Sequence, residues 1–480
     1  MTLDSRTPVL VGAGVASRRC DDPREALESV ALMAEAAERA GEDAGSRQLL
    51  AEASSVRVPR GFWDYSDPGR LVAERVGASG ARTLLAEIGV LQQTLLSGAC
   101  RAIAEGRERV ALVVGGDTRY RTQRAKATGV EIDDTPQAGV APDEVLRPAE
   151  GVWDDLEAAS GLMMPVQFFS LMESALRFDA GLSIDAHRDR VAALWARMSE
   201  VAAANPHAWH RTPRAASEIR DASPSNRMMA FPYTRLHNSD WNVDQAAALL
   251  LCSAETARSH GIPEERWVYP LAATESNHMV PLSCREQLYR SPGAAVAGRR
   301  VLELAGRAID EIAHVELYSC FPAPVQIFAR ELGVDLERPL TVTGGMAFAG
   351  GPLNNYVLQS TARMVEVLRG DPGSRGLVSS LSGFNNKQGF ALWSTAPSLE
   401  GFGFEDCSHE VAAATKPREL VEGRDGPVRV AGYTVLYLED RPAKVIAVCD
   451  RPDGRRCILT SEDANLAAEM TRDEWCGREL

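Results

Sequence analysis

The residues able to do chemistry in this chain gather in a few glycine- and amide-rich stretches. The longest is "TGGMAFAGGPLNNY", Thr343–Tyr356, with two glycine pairs, a proline and two asparagines. Paired glycines let the backbone adopt φ > 0 and let another group approach closely. No residue in this stretch ionises near neutral pH, so it can shape a pocket but supplies no acid, base or nucleophile. A second stretch, "SSLSGFNNKQGF", adds Asn385, Asn386, Lys387 and Gln388. The amides of Asn354, Asn355, Asn385 and Asn386 are candidate oxyanion donors. Their competing role is turn geometry, which loop asparagines commonly serve. His237 and Asn238 open the segment "HNSDWNVDQ"; there the choice lies between a base and a capping or surface histidine.

These stretches need a scaffold, and the chain is long enough to build one. It has 480 residues, 45% hydrophobic and 25% charged, with a net charge of −14. That charge disfavours a nucleic-acid partner, which requires concentrated Lys and Arg. A small anionic ligand held by local cations or helix N-termini stays compatible with it. The longest apolar run, "AAALLLCSA", is far short of the roughly 20 residues of a membrane span, and the N-terminus lacks a signal-peptide pattern. Nine dispersed cysteines without a CxxC pair fit reduced thiols in a cytoplasm. Neither they nor the eight histidines signal a metal site, and "GAG" at 12–14 lacks dinucleotide spacing, so no cofactor is expected.

Along the chain, "TPVLVGAG" reads as a buried strand. Asp22-Pro23 offers a helix start, followed by Leu27, Val30, Ala31 and Ala34 at helical spacing. "GVLQQTLLSGACRAIAEG" (Gly89–Gly106) has almost no charge in its first three turns and is expected to be a buried helix, followed by a strand at Arg109–Thr118. Buried helices alternating with apolar strands give an α/β architecture with sheet covered on both faces. Residues 119–229 are more polar and read as an inserted loop domain with helices near Gln167–Arg177 and His187–Ala203. The pattern resumes afterwards, with a strand near His314–Ser319, and broadly repeats the first half. Residues 1–118 with 230–260 and residues 261–400 are therefore expected as two related halves. Residues 410–480 are expected as a separate β-rich domain, in form a small OB-like barrel, closed by a helix near Glu462–Met470. From Gly401 onwards it carries 11 basic against 16 acidic residues, a poor balance for a nucleic-acid-binding barrel.

Three stretches, "FPYTRLHNSDWNVDQAAALLL", "ELYSCFPAPVQIFARELG" and "TGGMAFAGGPLNNY", together resemble the thiolase superfamily. The likeness is greatest to sterol-carrier-protein-2-type thiolases and the bacterial thiolase-like type 1 proteins. "NVDQAAALLL" resembles that fold's Asn-x-x-Asp-Gly-Ala-Ala segment, and the last 26 residues resemble the additional C-terminal domain of the type 1 group. The resemblance implies two βαβαβαββ halves, a CoA-thioester ligand and an acetyl-CoA acetyltransferase label within lipid metabolism.

Thiolases use a cysteine at a buried helix N-terminus, a Gly-His-Pro histidine, an Asn or His from a third motif, and a second cysteine. Matched by position, the nucleophile falls at or next to Gly89, and Gly351 stands at the histidine. The third motif reads Tyr318-Ser319-Cys320-Phe321, and Leu381 or Ser382 stands near the second cysteine. The resemblance thus implies CoA or acyl-CoA binding with Claisen activity lost. Tyr318 keeps open an altered chemistry, a retro-aldol lyase or non-covalent acyl transfer, if its phenol acts as hydrogen-bond donor or acid/base. The competing role is a space-filling aromatic. Cys320 and Cys100 read as packing cysteines. A third possibility is a non-enzymatic scaffold engaging a protein partner through the C-terminal domain.

Overall fold

A computed structural model describes residues 3–398 and 400–480. The first half supplies β1 (Pro8–Ser17), β2 (Ser55–Pro59), β3 (Arg82–Ala86), β4 (Val110–Thr118) and β5 (Glu144–Leu146). A hairpin follows, β6 (Met228–Ala230) and β7 (Tyr233–Thr234), then β8 (Asp244–Ser253). Six of these form one sheet in the order β1-β8-β4-β2-β3-β5, so the insertion lends β5 to its edge. The second half supplies β9 (Tyr269–Ser276), β10 (His314–Glu316), β11 (Arg375–Ser382), β12 (Lys387–Ser394) and β13 (Gly403–Asp406), ordered β10-β11-β12-β9-β13.

Helices α1 (Ser29–Ala44) and α2 (Pro68–Arg75) belong to the first half, and α3 (Gln92–Ala104) follows β3. The insertion carries α4 (Pro165–Asp179) and α5 (Ile184–Ala204). The second half adds α6 (Pro292–Leu304), α7 (Pro322–Leu332) and α8 (Tyr356–Gly370). Helices α3 and α8 lie between the two sheets and touch strands of both, while α1 and α6 each cover one sheet. That position explains the uncharged first turns of α3: between two apolar sheets a charge would lose its hydration without a partner. Where polarity is needed there, it comes as Gln92, Gln93 and Ser97, all buried.

Asp22-Pro23 does not start a helix. Asp22 instead caps a turn, its carboxylate accepting from Arg24 N at 3.0 Å, and α1 begins only at Ser29. The carboxylate just before it, Glu28, is claimed by Tyr65 (2.9 Å), Arg75 and Thr135 (both 2.6 Å).

The C-terminal strands β14 (Arg429–Leu438), β15 (Arg441–Asp450) and β16 (Arg456–Ser461) form an open antiparallel sheet rather than a barrel. Its order is β16-β15-β14-β6-β7, so the hairpin from the insertion extends the sheet instead of letting it close. Barrel closure needs strands of matched length and stagger, and the two-residue β7 cannot supply one. The sheet has its own apolar cluster, including Val430, Val435, Ala447 and Met470; Ile184 from the insertion and Phe231 just after it complete it. A short helix, α9 (Ala464–Met470), covers β15.

One buried acid makes the core pH-sensitive. Glu275 on β9 accepts from Thr94 Oγ1 of α3 at 2.7 Å. Its other oxygen has no partner. Burial pushes its pKa from 4.5 up to about 7, against the hydrogen bonds of Thr94 and Ser97. A carboxyl whose pKa rises on folding contributes stability that is complete below its unfolded value, near 4.5, and is lost as pH climbs through about 7. Glu275→Gln is therefore expected to be more stable than the parent at pH 8, by roughly 1–3 kcal/mol. At pH 4.5 it should show no advantage. Thermal melts of both proteins at the two pH values check this, and equal differences at both would refute it.

Candidate functional site

The N-termini of α3 and α8 meet between the sheets. Gln92 on the first turn of α3 accepts the Val357 N–H of α8 through its Oε1 at 2.7 Å. The loop Thr343–Asn355 runs into this junction. What holds it is a carboxylate outside it, Glu316 of β10. Glu316 accepts from Val342 N (2.7 Å), Thr343 N (3.0 Å), Thr341 Oγ1 (2.9 Å), Thr343 Oγ1 (3.1 Å) and the Tyr356 hydroxyl (2.6 Å). Five donors converge on one acid, which fixes both ends of the loop.

Gly89, just before α3, has φ +101°, a conformation that L side chains rarely adopt. A Cβ there would lie 3.0 Å from Pro148 Cγ. Its carbonyl is held from another side by Lys387 Nζ at 3.0 Å. Burial pushes the Lys387 pKa down, with Glu150 opposing. Pro148 opens a stretch of the insertion that continues over the neighbouring loop. Val152 approaches Gly383, and Trp153 stacks on Phe384 at 6.0 Å, itself stacked on Phe168 at 3.7 Å. Gly351 is equally enclosed. Its N–H donates to Asp240 O at 2.8 Å, and a side chain there would collide with Ser239 Oγ. Leu381 and Ser382 end β11 opposite Gln388 and Lys387, with Leu381 buried.

Tyr318 follows β10 and is buried beside Tyr356, the rings edge-to-face at 5.7 Å. Burial, with the Cys320 thiol adding to it, pushes its pKa well above the ordinary phenol value. The lowered pKa that acid/base use would need is not found; Tyr318 is a neutral phenol and a hydrogen-bond donor. Burial likewise pushes up the thiols of Cys320 and Cys100, the latter to about 12, so neither is a ready thiolate.

The remaining candidates separate into three places. His237 is buried and caps the turn after β7: its Nδ1 accepts from Thr234 N at 3.2 Å, and burial drives its pKa down to about 4. Asn238 donates to Thr234 O at 2.7 Å in the same turn. Asn354 has φ +56° and serves the turn into α8, while Asn355 packs against Gly115 with both amide atoms unpartnered. Asn386 ties its hairpin to Val280 O at 2.9 Å. Asn385 and Asn386 both line a cavity at the start of β12.

Two arrangements were not anticipated from the sequence. His210 Nε2 pairs with Asp240 Oδ2 at 2.7 Å, directly beside the Gly350–Pro352 turn, because His210 N also donates to Phe348 O at 2.8 Å. Glu173, Tyr233 and His187 form a buried cluster with Gln326, whose amide reaches Glu173 at 2.7 Å. Glu173 sits on α4 amid "FFSLMESALRF", and a lone acid inside so apolar a run was a readable signal.

No protein-family model matches the chain. It is similar to a crystal structure of a monomeric SCP2-thiolase-like protein type 1 from Mycobacterium smegmatis, at 30% identity and TM-score 0.83, over 100% of this chain and 97% of that one. The Ltp2-ChsH2(DUF35) aldolase shares the fold at 18% identity and TM-score 0.61, over 82% of this chain and 99% of that one. In sequence it is 23% identical over 337 residues to an acetyl-CoA acetyltransferase of Methanothermobacter thermautotrophicus, covering 66% of this chain and 80% of that protein. No helix among the described residues is long and apolar enough to cross a membrane. Two halves of sheet and helix around a central helix pair, a TGG…GGP loop at their junction, and an appended β sheet place the chain in the thiolase superfamily, among the SCP2-thiolase-like type 1 proteins.

Proposed function

We propose that this chain binds a coenzyme A thioester, as a cytoplasmic protein of acyl-CoA metabolism, and does not condense acyl groups through a covalent cysteine. The observation that carries the reading is Gly89. A nucleophile at the N-terminus of α3 needs a side chain, and there the backbone has φ +101° with Pro148 filling the Cβ space. The thiol on α3 itself, Cys100, is buried within the helix and its pKa is pushed up to about 12 by burial. Binding is supported by the family and by the name of the acetyl-CoA acetyltransferase it resembles. Tyr318, a neutral donor at the junction, is the group suited to a thioester oxygen.

Calorimetric titration with CoA, acetyl-CoA and a longer acyl-CoA tests this. Saturable binding that tightens when the acyl group is present is the expected result; no heat with any of the three would overturn it. The same Tyr318 supports a second reading, a lyase of the kind named in the Ltp2-ChsH2(DUF35) aldolase. The phenol donates a hydrogen bond to the thioester oxygen, where enolate charge develops as the Cα–Cβ bond of a β-hydroxyacyl thioester breaks. The β-hydroxyl, losing its proton, becomes the released carbonyl. Under that reading Tyr318→Phe keeps ligand binding within about threefold and abolishes turnover.

A further inference from the structure

A cavity of about 70 Å³ opens between the start of β12, the loop from β9 to α6, and the chain leaving β13. Water occupies roughly 30 Å³ in the liquid, so the space is that of about two waters, room for one small compact ion. Its wall contains a buried cation. Arg285 is 7% exposed, and its hydrogen bonds go to two neutral carbonyls, Phe384 O at 2.7 Å and Val280 O at 3.4 Å. Its Nη1 has no partner. Glu157, the carboxylate that acts on it, is already occupied by Ser283 N at 2.7 Å and Asp154 N at 3.0 Å. A buried guanidinium N–H left without an acceptor is costly, and an anion in the cavity would supply one.

Other walls supply matching donors. Asn385 is 2% exposed and its Nδ2 has no partner. Helix α6 brings its N-terminus, Ser291, Pro292 and Gly293, to the cavity wall, with Ser291 Oγ capping Ala294 N. Glycine is needed there because a Cβ would collide with the Gln388 amide oxygen. That oxygen, buried on the same wall, is likewise unpartnered, as is His278 Nε2. Lys416 stands at the mouth, with Glu286 the one acid there. A guanidinium, an amide and a helix N-terminus share this wall, a donor set that suits a phosphate-class oxyanion. The unpartnered Gln388 oxygen can accept only from a protonated oxyanion, which phosphate is at neutral pH and sulfate is not.

We propose that this cavity binds a phosphate-class oxyanion, held by Arg285, Asn385 and the N-terminus of α6, with Gln388 selecting phosphate over sulfate. The proposal is independent of thioester binding at Gly89. Its test is titration of the whole protein with sodium phosphate and with sodium sulfate at matched ionic strength, followed by calorimetry, thermal melts and phosphorus NMR line width. Phosphate is expected to bind with a Kd of about 1 mM or tighter and to raise Tm, with sulfate at least tenfold weaker. Asn385→Asp keeps the shape of the wall and gives Arg285 an internal counter-charge. It should lose phosphate binding at least tenfold without a lower Tm in phosphate-free buffer. Arg285→Gln should lose the response as well. No phosphate response in the parent protein, or one equal to that of sulfate and unchanged by Asn385→Asp, overturns the proposal. Adding CoA to the phosphate-loaded protein identifies the source. Displacement of phosphate assigns the site to a phosphoryl group of the larger ligand, and no displacement assigns it to the free ion.

Discussion

Glu316→Ala is expected to lower unfolding stability by about 4 kcal/mol or to prevent folding. The carboxylate is fully buried, and all five of its donors are buried or nearly so. Alanine would leave two backbone N–H groups and three hydroxyls facing a void that admits no bulk water. Each buried donor left unpaired costs roughly 1–3 kcal/mol, and relaxation of the rotatable hydroxyls recovers part of the total. Burial pushes the Glu316 pKa up while its donors pull it down. Glu316→Gln keeps the shape and one strong acceptor, and should recover more than half of the loss. Urea unfolding of the three proteins measures this. A Glu316→Ala curve overlying the parent would show that the TGG loop is held by its own turn geometry. If Glu316→Ala folds, it should also lose any thioester binding, because the loop before α8 is no longer fixed.

The second large effect concerns the C-terminal segment. Removal of residues 427–480 is expected to leave an insoluble remainder rather than a working core. The segment is stitched into the insertion at many points: Phe231 N to Val435 O at 2.9 Å, Tyr433 N to Ser174 Oγ at 2.9 Å, and Ser170 Oγ with Thr434 Oγ1 at 2.8 Å. Arg177 of α4 is 1% exposed and makes a two-pronged pair with Glu474 at 2.7 and 2.8 Å, plus a bond to the Tyr433 hydroxyl at 3.0 Å. Breaking a buried pair of this kind costs about 3–5 kcal/mol, a large share of the 5–15 kcal/mol typical of a whole domain. Ile184 and Phe231 would lose the sheet that covers them, and exposed apolar patches of that kind drive association. Soluble yield and size-exclusion profile decide the matter. A monomeric, cooperatively melting fragment 1–426 would mean the segment is an independent domain after all.

The sequence made some of this legible because local patterns report local facts. The alternation of apolar strands and helices announced the α/β class, and the near absence of charge in the first turns of Gln92–Ala104 announced a largely buried helix. Gly89 and Gly351 could be set against the family's motifs because the residues around them resemble those motifs. Pairings between distant segments were not readable. Nothing in "MMA" says that β6 will join β14 two hundred residues later, and nothing near "RPAEG" says that Pro148 will sit on Gly89. In sequence Arg285 resembles any loop arginine; only the fold makes it a buried cation with an unpartnered N–H. His210 was passed over for a related reason, since its partner Asp240 lies 30 residues away across a loop.

Gly89 has a consequence for how this sequence can change. A side chain at that position must escape both the positive φ and the ring of Pro148, so no single substitution there yields a relaxed protein. A shift of Pro148 alone would only open an empty space above a glycine. The two residues form a ratchet in sequence space: each step back is unfavourable until the other has been taken. The pairing is held by backbone conformation and packing together, independently of what the site does.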